Sequence, residues 1–150
     1  MRAPGRRLIG AAGVAAVAVL ALTGCFGPDP SIAIDRAGDD FGALVEVASA
    51  VDVDVLHTLE VEPPVSESCD TESESVHTAY VAAGTVAVAA TQAQERDLLT
   101  EFALDPERWQ RIDSATGSTR RAYVDEDGIT STVTVENGLL VIAVFSPCRG

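Results

Sequence analysis

"ITSTVTVENGLLVIAVFSPC" runs from Ile129 to Cys148 and carries the clearest structural signal in the chain. Ile129, Ser131, Val133 and Val135 alternate with Thr130, Thr132, Thr134 and Glu136, the period-two pattern of a strand with one buried face. Asn137-Gly138 follows, the dipeptide best suited to a two-residue hairpin turn, because both positions tolerate positive φ. The next run, Leu139 to Phe145, is apolar at every position, which predicts a central strand or one covered on both sides. Upstream, "STRRAYVDEDG" leads a further strand into a tight turn at Asp127-Gly128. The last third of the chain therefore reads as a three-stranded antiparallel meander.

Outside the meander, the remaining segments alternate between helical and extended periods. Phe41, Leu44, Val45, Ala48 and Val51 fall at helical spacing, with Asp39 or Asp40 placed to cap the start. In "VDVDVLHTLEVE", Val53, Val55, His57, Leu59 and Val61 alternate with mostly polar residues, and Leu56 breaks the pattern; Pro63-Pro64 then stops this strand. "VSESCDTESES" (65–75) reads as an acidic loop. Val76 to Ala90 is apolar and rich in β-branched residues. It predicts one irregular strand bulged at Gly84, with two short strands as the alternative. "TQAQERDLLTEFALDP" predicts a helix, with Thr91 and Gln94 at capping-box spacing and Pro106 ending it. "DPERWQRI" suits a further short helix capped by Asp105. The expected fold is α+β: two helices on one face of a mainly antiparallel sheet that ends in the meander.

The first 25 residues follow different rules. Arg2, Arg6 and Arg7 form a positive head, and Leu8 to Leu22 is an uncharged apolar stretch. That stretch is short for a bilayer span, which needs about 20 residues, and suits the core of an export signal. It ends in Leu22-Thr23-Gly24-Cys25, which resembles a lipobox, the Leu-small-small-Cys pattern of bacterial lipoproteins. The resemblance implies a thioether-linked diacylglyceryl group on Cys25 and cleavage just before it. An ordinary signal peptide cut near Ala21, leaving Cys25 free, is the competing reading. "GRRLIG" invites a twin-arginine export route, but its flanks fit the general secretory route better. The implied organisation is a removed signal (1–24), a lipid-anchored tether (25–31) and one extracytoplasmic domain (32–150). Two acyl chains suffice for lasting attachment to the outer face of the cell membrane.

Removing residues 1–24 takes three arginines away, so seven arginines face 23 acidic residues and the formal charge moves from −13 to −16. Such a charge argues against nucleic acid as a partner and against adhesion to anionic headgroups through a basic patch. With Cys25 lipidated, Cys69 and Cys148 remain, an even number that reads as one disulfide in an exported domain.

Catalytic constellations are sparse. The chain has no Gly-x-Ser-x-Gly elbow, no phosphate-binding glycine loop and no calcium-loop spacing at "DEDG" (125–128). The expectation is a non-enzyme that needs no cofactor. Trp109 with Arg108 and Arg111 is an aromatic–basic cluster in an acidic chain, near Arg120 and Arg121 in sequence, and is the candidate contact for a ligand or protein partner. His57 and His77 are weak metal candidates: if their strands pair, the two rings approach each other near Glu60 or Glu74 and offer zinc or copper donors. The lipobox, the Cys loop, the central helix and a meander closing on Ser146-Pro147-Cys148 together resemble small lipoproteins of high-GC Gram-positive bacteria. That resemblance implies location and fold, since such proteins share no common activity; with no catalytic motif present, the expected role is a binding or accessory module of the cell envelope, partnered with another envelope protein. The alternative is a carrier of a small ligand or of zinc or copper.

Overall fold

The computed structural model describes residues 29–70, 74–87, 92–112 and 119–149. The signal, Cys25 and most of the tether lie outside these residues, as does Thr91. The described chain folds as α+β: two helices, α1 (Pro30–Ser49) and α2 (Gln92–Glu101), on a seven-stranded antiparallel sheet. The strands are β1 (Leu56–Val61), β2 (Val65–Ser68), β3 (Val76–Val86), β4 (Trp109–Arg111), β5 (Arg120–Asp125), β6 (Thr130–Glu136) and β7 (Leu139–Phe145). Their spatial order is β1-β3-β7-β6-β5-β4, with β2 also paired to β3. No described helix is long and apolar enough to cross a membrane.

The meander forms as the sequence predicts. Asn137 (φ 53°) and Gly138 (φ 76°) make the β6–β7 hairpin, and Gly128 (φ 80°) sits in the β5–β6 turn. β7 is central, between β3 and β6. Leu140, Ile142 and Val144 are fully buried and face the helices with Val133 and Val135 of β6 and Ala82 and Val86 of β3. Against them pack Ala37, Phe41, Leu44 and Ala48 of α1, Leu98 and Leu99 of α2, and Phe102 just after it. All belong to one core, so both helices cover the same sheet face. The opposite face carries Thr130, Thr132, Thr134, Val141 and Ala143, and no described element lies over it.

Several local expectations change. The first helix starts at Pro30, about ten residues before Asp39 and Asp40. Asp29 caps it, its carboxylate accepting from the Ser31 N–H at 2.9 Å, and Pro30 takes a first-turn position where a missing N–H costs nothing. Pro30 and Ser31 thus belong to the helix rather than the tether; Ala33 and Ala37 are small enough to extend its buried stripe. The acidic segment after Pro63-Pro64 is not all loop, since Val65–Ser68 pairs with β3 as β2. The two prolines interrupt an edge strand, where absent N–H donors are tolerated, and the chain resumes pairing beyond them.

The irregularity expected at Gly84 lies across from it, in β1. Leu56 pairs with Val86 and Thr58 with Thr85, leaving His57 as an extra residue. This bulge lets Leu56 and Leu59, three apart, both turn to the helix face, and it explains the break in alternation at Leu56. Gly84 is required by the close approach of that strand: a Cβ there would lie 2.7 Å from the Thr58 carbonyl oxygen.

"DPERWQRI" does not form a second short helix. Asp105 accepts from the Glu107 N–H (2.9 Å), and the Trp109 N–H reaches the Asp105 carbonyl (2.8 Å), but the chain closes one turn and enters β4. Burial of Trp109 against the sheet edge and pairing with Asp125 outweigh the local helical tendency.

Candidate functional site

Three features compete as the functional site. The first grows from the way α1 and α2 diverge. Ala33, Ala37, Phe41, Leu44 and Ala48 seat α1 on the sheet, while Val47 and Val51 lie beside that stripe and are left part-exposed. Leu98 of α2 faces them. The helices leave an open groove of about 540 Å³ floored by Val47, Val51, Val55 and Leu98, with Asp52, Asp97 and Glu101 at its rim. A smaller hollow of about 300 Å³ continues from Val47 and Glu101 past Leu44 and Phe102 to Arg108. The result is a trough with an apolar floor and a carboxylate-rich edge. It suits an apolar segment carrying positive charge, because apolar burial supplies attraction and the carboxylates select the sign.

The second feature is the Trp109–Arg108–Arg111 cluster. Arg108 is held on both sides. Its guanidinium forms a bidentate pair with Asp40 (2.7 and 2.6 Å) and reaches Asp125 at 3.3 Å, stacking 5.0 Å from the Trp109 ring. The hydrogen bonds it donates to Asp40 and the charge of both carboxylates hold the Arg108 guanidinium above its already high pKa, against the cost of burial. The Asp125 side chain is fully buried; it also accepts from the Asp127 and Ile129 N–H groups and faces Arg36 at 3.7 Å. Arg36 pairs with Asp127 as well. This network ties α1, β4 and the β5–β6 turn together. Trp109 is buried, so it offers no surface to a partner. Arg111 is exposed across from Tyr123. Arg121 donates to the Leu99 carbonyl at 3.1 Å, capping the end of α2. The expected ligand cluster is therefore largely structural; Asp40 and Asp125, the residues that make it so, carry no local sequence signal.

The third feature is at the other sheet edge. Cys69 and Cys148 are disulfide-bonded, with Cα atoms 6.0 Å apart. His77 joins them: its Nδ1 lies 3.5 Å from Cys69 Sγ, and its Nε2 lies 3.6 Å from a Glu67 carboxylate oxygen. The ring packs edge-on against Phe145 at 5.3 Å. The histidine pair anticipated from the sequence does not form. β1 and β3 do pair, but His57 bulges out opposite Thr85–Val86, whereas His77 pairs with Glu67 near the far end of β3. The two are eight to nine strand positions apart, about 28 Å. His57 is exposed, and its Nδ1 lies 2.8 Å from the Val53 carbonyl. Neither Glu60 nor Glu74 replaces Glu67 beside His77. The β2–β3 hairpin register sets Glu67 against His77, and a reading of 65–75 as loop hides it.

In comparisons with protein-family models, curated proteins and solved structures, none matches this chain.

Proposed function

We propose that this chain is a lipid-anchored, non-enzymatic binding module displayed on the outer face of the cell membrane, which docks an apolar, positively charged segment of another envelope protein. The observation that carries the docking reading is the α1–α2 trough, with its apolar floor and its rim of Asp52, Asp97 and Glu101. The anchor at Cys25 rests on the lipobox resemblance. Opposite charge on the partner follows from the rim and from the charge of −16 on the chain beyond residue 24. An open trough between helices fits a peptide segment better than an enclosed small-molecule cavity would.

The test is a photocrosslinking residue at Val47 in the intact cell, compared with one at Thr132 on the opposite sheet face. The proposal expects a discrete protein adduct from position 47 only, lost when Asp97 and Glu101 are both changed to Arg. Equal adducts from both positions, or an adduct indifferent to the charge reversal, would contradict it.

A further inference from the structure

We infer that Cys69, Cys148 and His77 form a thiol-dependent site for a zinc-like divalent cation, which the disulfide keeps closed. Three donors meet here: two sulfurs and a His77 nitrogen, all within 4.8 Å of one another. Tetrahedral zinc sites use such donors at about 2.0–2.3 Å from the metal, so ligand atoms lie close to these separations once the S–S bond opens. A Cα separation of 6.0 Å asks for little backbone movement.

The histidine is unusually placed for a purely structural ring. Nε2 is buried without a hydrogen-bond partner, its nearest carboxylate oxygen 3.6 Å away on Glu67. Nδ1 faces Cys69 Sγ, a weak acceptor while it is part of a disulfide. A metal bound through Nδ1 resolves both positions. The lone pair of Nδ1 goes to the cation, and the Nε2 proton points to Glu67, the carboxylate–histidine–metal relay that orients and strengthens imidazole ligands. Cys69, His77, Cys148 and one open position make a Cys₂His set.

Backbone hydrogen bonds, besides the disulfide, hold the segments that carry these donors. The Cys69 N–H donates to the Ser75 carbonyl at 2.9 Å, and β2 pairs with β3 from Val65 through Ser68. Beside Cys148, Val76 and Arg149 exchange two backbone hydrogen bonds of 2.8 and 2.9 Å. One edge of β3 thus holds the Cys69 segment, and the other holds the Cys148 segment. Cys148 is exposed, which gives an incoming thiolate access.

The chemistry balances through thiol–disulfide exchange. An external dithiol supplies two electrons; its thiolate attacks one sulfur, the S–S bond breaks, and its second thiol completes the exchange. The products are the oxidised dithiol and two protein thiols. The cation then binds as two thiol protons leave to solvent, with His77 neutral. Oxidation by a disulfide runs the sequence backward and releases the cation. Disulfide and metal are therefore exclusive occupants of one site.

The experiment uses the mature chain reduced with a phosphine, freed of reductant without oxygen, and titrated with Co²⁺. The expected result is one equivalent bound, with a near-ultraviolet thiolate-to-cobalt charge-transfer band that Zn²⁺ displaces. The band should be absent from the oxidised chain and from Cys69→Ser and Cys148→Ser. His77→Ala should weaken binding at least tenfold, and Glu67→Gln about 10–100-fold. Circular dichroism, with and without Zn²⁺, follows the fold of the reduced chain. If that chain unfolds, zinc should restore it in wild type but not in His77→Ala. Binding by the oxidised chain, equal affinity in His77→Ala, or a reduced chain that zinc neither binds nor refolds would overturn the inference. Failure here leaves the α1–α2 trough untouched, since no residue is shared.

Discussion

The two polar clusters at opposite edges of the sheet show what separates a structural network from a site. Around Arg108, both terminal nitrogens are engaged: Asp40 takes both, and Asp125 shares one. Asp125 in turn accepts two backbone N–H groups. Around the cystine, His77 has one nitrogen without a partner and one facing a weak acceptor. A guanidinium whose charge is shared by two carboxylates marks a joint that holds elements together, even with Arg108 Nε buried without a partner. A ring with neither nitrogen in a strong hydrogen bond marks a place with capacity for something else.

Mutation should separate the two clusters. The cystine's own structural share should be the largest effect: Cys69→Ser with Cys148→Ser removes a link across 79 positions, worth about 4–5 kcal/mol in the chain-entropy model. Urea unfolding of the oxidised wild type and the double variant measures it. Next is Asp125→Ala, which strips a buried carboxylate from Arg108 and leaves the Asp127 and Ile129 N–H groups without their acceptor. About 3 kcal/mol is expected, from the same unfolding curves. His77→Ala in the oxidised chain should cost under about 1 kcal/mol, since the ring makes no strong hydrogen bond there. A loss as large as that of Asp125→Ala would make His77 a structural residue and erase the contrast.

The smallest effect is expected at the helix start. The Ser31 backbone and hydroxyl donors hold the Asp29 carboxyl below the usual carboxylate range. A group with a lowered folded pKa stabilises above its unfolded value and loses that effect as pH falls through the folded value. Protection of the first-turn amides of α1 against exchange, taken relative to their intrinsic rates, should therefore fall on the acid side in wild type. In Asp29→Asn, which caps without titrating, it should stay flat with pH over that limb.

Much of the fold is legible because period-two alternation and Asn137-Gly138 are local signals. The meander and the central place of β7 follow from them, and the pairing of Cys69 with Cys148 follows from an even cysteine count beyond Cys25. What escapes depends on partners distant in sequence. Leu56 looks like an error in a strand until the bulge at His57 turns it to the core. Trp109 carries a helical spacing, but burial beside Asp125 draws it into β4. The site is less legible. Arg108 looks available because Asp40 lies 68 positions away. Sequence alone matches His77 with the wrong histidine, because only the β2–β3 register reveals Glu67 and the cystine as its neighbours. The trough depends on how two helices diverge, which no segment of sequence encodes alone.

The proposed docking to an envelope partner presupposes display of this domain outside the membrane, held at Cys25. Mass spectrometry of the N-terminal peptide from the native membrane fraction tests that claim most directly. The expected result is a mature chain that begins at Cys25 and carries a diacylglyceryl group on its sulfur, with the Cys25→Ser variant left as an uncleaved precursor. A mature chain beginning near Leu22 with an unmodified Cys25, or normal processing of Cys25→Ser, would contradict it.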